Sequence, residues 1–436
     1  MKAIATQLAA IVSPELVCEW DDNINANQEQ IKRAIASATP PSCIVYPRTQ
    51  DELAAVLTCA NSNNWRVLPF GSGSKLSWGG LTKDVQVLVS TERLNKLIQH
   101  AVGDLTLTVE AGMKFANMQD TLSKVGQFLA LDPSAPQSAT IGGIVATADT
   151  NSLRHRYNGV RDQLLGISFV RADGKIAKAG GRVVKNVAGY DLMKLFTGSY
   201  GTLGIITGVT FRVYPLPKAS QTVVLTGEAS AIASATNILR ASALTPTKVD
   251  LLSTQLVTDL EIGKGLGLVT RFQSLGESVK EQSARLVEVG ENLGLHSAIY
   301  SAADEADLWQ RLQAQMWEQS NQRVSCKIGV LPSTAVATLL QFEQVAPQTG
   351  IGLIHAGSGL GLLRFEETVK THTVLQMRMH CQTRGGFLSV LEAPVIFKQQ
   401  LDVWGYRGNA LELMRRIKQQ FDPKNILSPN RFVGGI

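Results

Sequence analysis

From Pro47 onward the alternation of apolar and polar residues is regular enough to read as elements. Leu53, Val56, Leu57 and Ala60 recur at i, i+3, i+4 and i+7, the spacing of one helix face. Thr49-Gln-Asp-Glu52 just before them is a capping-box pattern: the threonine hydroxyl accepts from the Glu52 amide and the carboxylate reaches back. Trp65 to Pro69 predicts a short strand, Phe70 to Lys75 a loop, and Val85 to Val89 a second strand. Leu105 to Val109 alternates at period two and predicts a third. Phe115, Met118, Leu122 and Val125 return to helical spacing, with Gly126 as the stop. Phe169 to Ile176 predicts a hairpin whose turn takes its left-handed residues from Asp173-Gly174, and a further strand lies around Gly208 to Val213.

This βαβ-like start does not continue as the regular alternation of a doubly wound sheet, so the predicted class is α+β. Pro215 and Pro217 punctuate the chain and mark a domain boundary. The reading is a helical segment over 1–39, a first domain over 40–218, a second, smaller α+β domain over 219–395 and a tail over 396–436. Helical patterns in the second domain cover Ala229 to Leu244, Glu277 to Leu293 and Ala303 to Gln319. The tail carries a basic helix, Leu411 to Phe421, followed by Asp422-Pro423. A chain of 436 residues fits two or three domains.

Composition narrows the class. With 44% hydrophobic and 18% charged residues this reads as an ordinary soluble protein. The five cysteines (Cys18, Cys43, Cys59, Cys326, Cys381) are scattered, which argues against iron–sulfur clusters, zinc ribbons and a disulfide framework, and for a reducing, cytoplasmic setting. No secretory leader pattern and no apolar run of about 18 residues is seen, leaving at most peripheral membrane association. The formal charge of +6 is mild and no basic cluster is interleaved with aromatics, which argues against nucleic-acid binding.

Three glycine-rich segments carry the candidate chemistry. Phe70-Gly71-Ser72-Gly73-Ser74-Lys75 follows a strand and can turn several main-chain N–H groups toward a phosphate; a plain tight turn is the alternative. Leu131-Asp132-Pro133 leads into Thr140-Ile-Gly142-Gly143 and on to Thr147, a second possible backbone nest, or a strand bulge. Asn186 to Gly208 spaces Gly198, Gly201, Gly204 and Gly208 around a short helix and a strand. Neither a Rossmann nor a Walker glycine pattern is present. Together the three segments favour a large, extended, phosphate-bearing cofactor.

In this order and spacing they resemble the FAD-binding domain of the vanillyl-alcohol-oxidase, or p-cresol methylhydroxylase (PCMH), type. Ala188-Gly-Tyr-Asp-Leu, Phe196-Thr-Gly-Ser and Gly201-Thr-Leu-Gly-Ile205 carry the likeness over Pro40 to Pro217, and Phe421-Asp-Pro-Lys-Asn-Ile-Leu-Ser-Pro-Asn-Arg-Phe432 resembles the family's ending. The resemblance implies an FAD-binding domain of two α+β subdomains, a smaller cap and a tail returning to the first domain. It implies FAD held by Phe70 to Lys75, Asp132, Pro133, Thr140, Gly142, Gly143, Thr147, Gly198, Gly204, Ile205 and Arg431. Covalent relatives carry a histidine in the first loop; the matching position is Ser74, so the flavin is expected to be non-covalent.

Within the family the chain looks most like the E-type FAD-binding subunits of glycolate dehydrogenase. That implies glycolate as substrate, with a homologous flavin subunit and an iron–sulfur subunit as partners. Relatives that oxidise D-2-hydroxy acids carry H-x-G-x-G-N-x-H and a later E-H-G. Here the stretch His355-Ala-Gly-Ser-Gly-Leu-Gly-Leu362 keeps the first histidine and loses the second, and no Glu-His-Gly occurs. No metal is therefore expected, and no catalytic residue is assigned. His355 reads as a loop or core histidine, and His372 and His380 as a solvated helix face. Arg154, His155, Arg156 and Arg161 are either a carboxylate-steering cluster or exposed loop charges. A self-sufficient D-lactate-type dehydrogenase and a non-catalytic flavin scaffold remain as alternatives.

Overall fold

The computed structural model describes all residues except 1, 22–26, 38, 183–188, 318–319, 321, 348–349 and 367–368. Asn186, Val187 and Ala188 of the third glycine segment, and the end of the helix expected to reach Gln319, thus lie outside the described residues. Contacts divide the chain into two units, one of Met1–Thr150, Gly159–Pro215 and Tyr406–Ile436, the other of Asn151–Asn158 and Leu216–Gly405.

The first unit holds two principal sheets. In the four-stranded one, Val17–Glu19, Cys43–Val45, Val87–Ser90 and Val67–Phe70 lie in that order, the last three parallel. The helix Gln50–Asn63 buries Leu53, Val56, Leu57 and Ala60 in one core with Val67, Val87 and Val89. Its cap departs slightly from the expected box. The Glu52 amide donates to Thr49 Oγ1 at 3.1 Å, but the Glu52 carboxylate accepts from Arg48 N–H at 2.6 Å, one residue before the cap.

The second sheet is antiparallel: Leu97–Ala101, Thr106–Glu110, Ile205–Arg212, Leu164–Val170 and Ile176–Gly180. Two local expectations are corrected here. The helix Phe115–Ser123 stops before Val125, which falls out of the apolar stripe and is exposed while Gly126 turns at φ +70°. In the hairpin turn only Gly174 is left-handed (φ +80°). Its N–H donates to Arg171 O, and Arg171 N–H pairs with Lys175 O, so one left-handed residue closes the turn.

The second unit is built on eight antiparallel strands ordered His296–Ser301, Ala219–Gly227, Leu266–Ser274, Lys248–Leu252, Ile351–His355, Leu360–Phe365, Val324–Gly329 and Phe387–Glu392. Val223, Leu225, Val249, Leu251, Leu268 and Phe272 point to one face, where the helices Ala229–Ala241 and Gly276–Asn292 cover them. Mixed sheets with helices packed on them make the class α+β. No helix among the described residues is long and apolar enough to cross a membrane.

Candidate cofactor site

In the first unit the three glycine segments and the tail converge on one cavity. Phe70, Gly71, Ser72, Gly73, Ser74 and Lys75 form one wall, as the loop leaving the strand Val67–Phe70. Leu76 N–H closes the loop on Gly73 O at 3.0 Å. Among the described residues, the N–H groups of Ser72 to Lys75 meet no protein acceptor, and Ser72 Oγ is buried without one. Such a loop is suited to an anion.

Thr140, Gly142, Gly143 and Thr147 form the second wall. They do not build a strand bulge. Ile141–Thr147 is a short helix, capped by Thr140 Oγ1, which accepts from Gly143 N–H at 3.4 Å. A side chain at Gly142 would press on Ala111 Cβ at 2.7 Å, whereas one at Gly143 would meet only Thr140 Oγ1, at 3.2 Å. Gly71 fits against the same threonine: a Cβ there would lie 2.0 Å from Thr140 Oγ1.

Gly204 and Ile205 supply the third wall, with Tyr200 and Gly201. Gly198 does not reach the cavity; at φ +81° it donates from its N–H to Val145 O at 2.9 Å and so fastens the turn to the helix. Asp132 and Pro133 also stand off it, Asp132 accepting from Thr150 Oγ1 at 3.2 Å.

The tail closes the site. Ile426 O accepts from Val67 N–H at 2.7 Å and Ser428 N–H donates to Val67 O at 2.9 Å, adding the tail to the strand that feeds the first loop. Lys418, buried, donates to Thr202 O (2.9 Å), Leu427 O (2.8 Å) and Asp422 Oδ2 (2.6 Å). Arg431 lines the cavity and donates through Nη2 to Leu76 O at 2.7 Å and Lys75 O at 3.3 Å. Burial pulls its pKa down to about 10 despite the nearby Tyr200, and burial pushes the Tyr200 phenol up.

Sequence reasoning missed Tyr200 and, more consequentially, Asp149. Lys75 Nζ lies 2.8 Å from Asp149 Oδ2, with both side chains almost fully buried. Ser134 donates to the same carboxylate from N–H and Oγ. A lysine in a glycine loop calls for a counter-charge when buried, but nothing in the sequence says which of the neighbouring acids supplies it.

The second unit has a polar cluster of its own. Asp250, fully buried, accepts from Ser152 Oγ at 2.5 Å, and its other oxygen lies 2.6 Å from His355 Nδ1. His155 belongs here, not with an exposed charge cluster: Gly357 packs so closely that a Cβ would sit 2.4 Å from its Nδ1. Burial lowers the His155 pKa; Asp250 opposes this, while His355 and Arg156 reinforce it. Arg161 lies in the other unit and pairs with Asp191. Leu362 is a buried strand residue. Among the described residues no three His, Cys, Asp or Glu side chains are grouped to hold a metal.

The cavity fits FAD: unpaired N–H groups and a buried hydroxyl on one wall suit the diphosphate, and a glycine-lined, largely apolar remainder leaves room for the rings. Residues 41–180 match the family described as "FAD binding domain", and 404–432 match "FAD linked oxidases, C-terminal domain". The chain is 25% identical to glycolate oxidase subunit GlcD of Bacillus subtilis, over 99% of this chain and 96% of that one. It is 24% identical to the mitochondrial D-lactate dehydrogenase [cytochrome] of Arabidopsis thaliana, over 99% and 80%. Its fold matches p-cresol methylhydroxylase with a TM-score of 0.77 at 15% identity, covering 99% of this chain and 96% of that one. Two stretches of the chain thus match models of FAD-binding and FAD-linked oxidase domains, and the chain is an FAD-dependent oxidoreductase.

Proposed function

We propose that the chain is the FAD-binding subunit of a multi-subunit glycolate dehydrogenase. Oxidation of 2-hydroxy acids, the wider activity, is supported by relatives named for glycolate, D-lactate and D-2-hydroxyglutarate. Bound FAD supplies the two-electron acceptor for removal of hydrogen from the carbinol carbon. This chain's own contribution is to bind and orient that cofactor through the loop Gly71–Lys75, the helix Ile141–Thr147 and Arg431.

The observation that carries the subunit reading is that the second histidine's place in the metal pattern is taken by the buried Leu362, while no three His, Cys, Asp or Glu side chains among the described residues are grouped to hold a metal. The retained first histidine, His355, has its Nδ1 fixed by the buried Asp250 at 2.6 Å. Electron exit is equally external. The absence of any such ligand group among the described residues supports a cluster held on another chain. A homologous flavin subunit and an iron–sulfur subunit are the complementary partners.

Affinity purification of the tagged chain from its native cells tests this. It should bring down a second flavoprotein of the same family and an iron–sulfur protein in fixed ratio. A chain recovered alone and fully active would favour the second reading, a self-sufficient D-2-hydroxy-acid dehydrogenase. That reading is supported by the near full-length match to a protein named D-lactate dehydrogenase.

A further inference from the structure

We propose that Asp149 is a positioning residue that holds the Lys75 ammonium out of the diphosphate site, so that the first loop grips FAD through main-chain N–H groups and the Lys75–Asp149 pair acts as a strut. The inference rests on FAD as the cofactor and is independent of which hydroxy acid is oxidised.

A lysine ending a glycine loop invites the reading of a phosphate ligand. Here the geometry assigns it otherwise. Its Nζ is 2.8 Å from Asp149 Oδ2, and the two side chains are 5% and 2% exposed. The carboxylate is further fixed by Ser134, whose N–H lies 3.1–3.2 Å from both oxygens and whose Oγ is 2.9 Å from Oδ2. Asp149 directly follows Ala148, the left-handed C-cap (φ +51°) of the helix Ile141–Thr147, and its own N–H donates to Ile144 O.

The pair thus ties the far end of the first wall to the far end of the second. Meanwhile Arg431 Nη2 donates to the carbonyls of Lys75 and Leu76, bracing the same loop from the tail. Both cations at the cavity thereby brace the loop, while the N–H groups of Ser72 to Lys75 stay open among the described residues. Removing one partner leaves a buried charge uncompensated, whereas replacing both by apolar residues does not.

The test is a double-mutant cycle read by FAD affinity of the apoprotein and by 31P NMR of bound FAD. Lys75→Met should weaken FAD binding by about tenfold or more, because the stranded Asp149 carboxylate distorts the wall and repels the dianion. Lys75→Met/Asp149→Leu should recover most of that loss and keep both 31P shifts at their wild-type positions. A double variant as impaired as the single one, or with displaced 31P resonances, would make Lys75 a direct phosphate ligand and overturn the proposal.

If neither variant folds, amine labelling of the wild-type chain decides. Lys75 should stay unlabelled with and without FAD; labelling in the apoprotein that FAD suppresses contradicts the strut. Wild-type apoprotein that takes up no FAD would instead refute the cofactor assignment.

Discussion

Gly71 and Gly143 are glycines for different reasons, and substitution should separate them. A side chain at Gly71 would collide with Thr140 at 2.0 Å, so Gly71→Val should cost about 1–3 kcal/mol of stability through overpacking and lower the melting temperature. Gly143 has a helical backbone and meets only Thr140 Oγ1, at 3.2 Å, so Gly143→Val should fold. Its methyls would enter the cavity, weakening FAD binding by about tenfold or more, about 1.4 kcal/mol per tenfold. Normal flavin occupancy in folded Gly143→Val would show that FAD does not run past this wall. Ser74 lines the cavity, and no histidine does so among the described residues. Acid or heat should therefore release intact FAD; flavin retained on the denatured chain would contradict that. Glycines were legible in the sequence as a class, but their reasons were not, because a close approach to Thr140 or Ala111 is made by tertiary packing.

At the scale of elements, the helix Gln50–Asn63 could be read directly, since cap and apolar stripe agree. The helix Ile141–Thr147 could not: two glycines in its first turn carry low propensity, and its start depends on the Thr140 cap and on backing against Ala111. The tail helix Leu411–Phe421 reads as merely basic, yet Lys418 is turned inward, with burial holding its pKa below the ordinary lysine value against the pull of Asp422. Lys418→Met should strand Asp422 and cost about 3–5 kcal/mol. Thermal unfolding at lower temperature together with faster proteolysis after Tyr406 would bear this out; an unchanged melting curve would not. The Asn151–Asn158 segment gives a pH prediction. Folded His155 has a pKa below the unfolded value of about 6.5, so the unfolded chain takes up the proton first as pH falls. Stability is thus lost as pH drops through about 6.5. Melting curves of wild type should fall more steeply below that pH than those of His155→Gln, and parallel profiles would exclude the effect.

Across the whole molecule, the glycine segments, the class and the cofactor were open to reading because they repeat local chemistry. The pairings Lys75–Asp149, Ser152–Asp250 and Lys418 with Thr202 were not, because each joins positions far apart in sequence through buried polar atoms. The functional account turns on the second unit's degraded metal pattern: Leu362 stands where the second histidine would be needed, and among the described residues no three His, Cys, Asp or Glu side chains are grouped to hold a metal. The decisive measurement is dye reduction by the FAD-loaded single chain beside the co-expressed complex, with glycolate and with D-lactate. The account predicts little or no turnover by the single chain and robust glycolate-dependent turnover once the homologous flavin subunit and the iron–sulfur subunit are present. Fast turnover by the single chain, unchanged by partners, would contradict it.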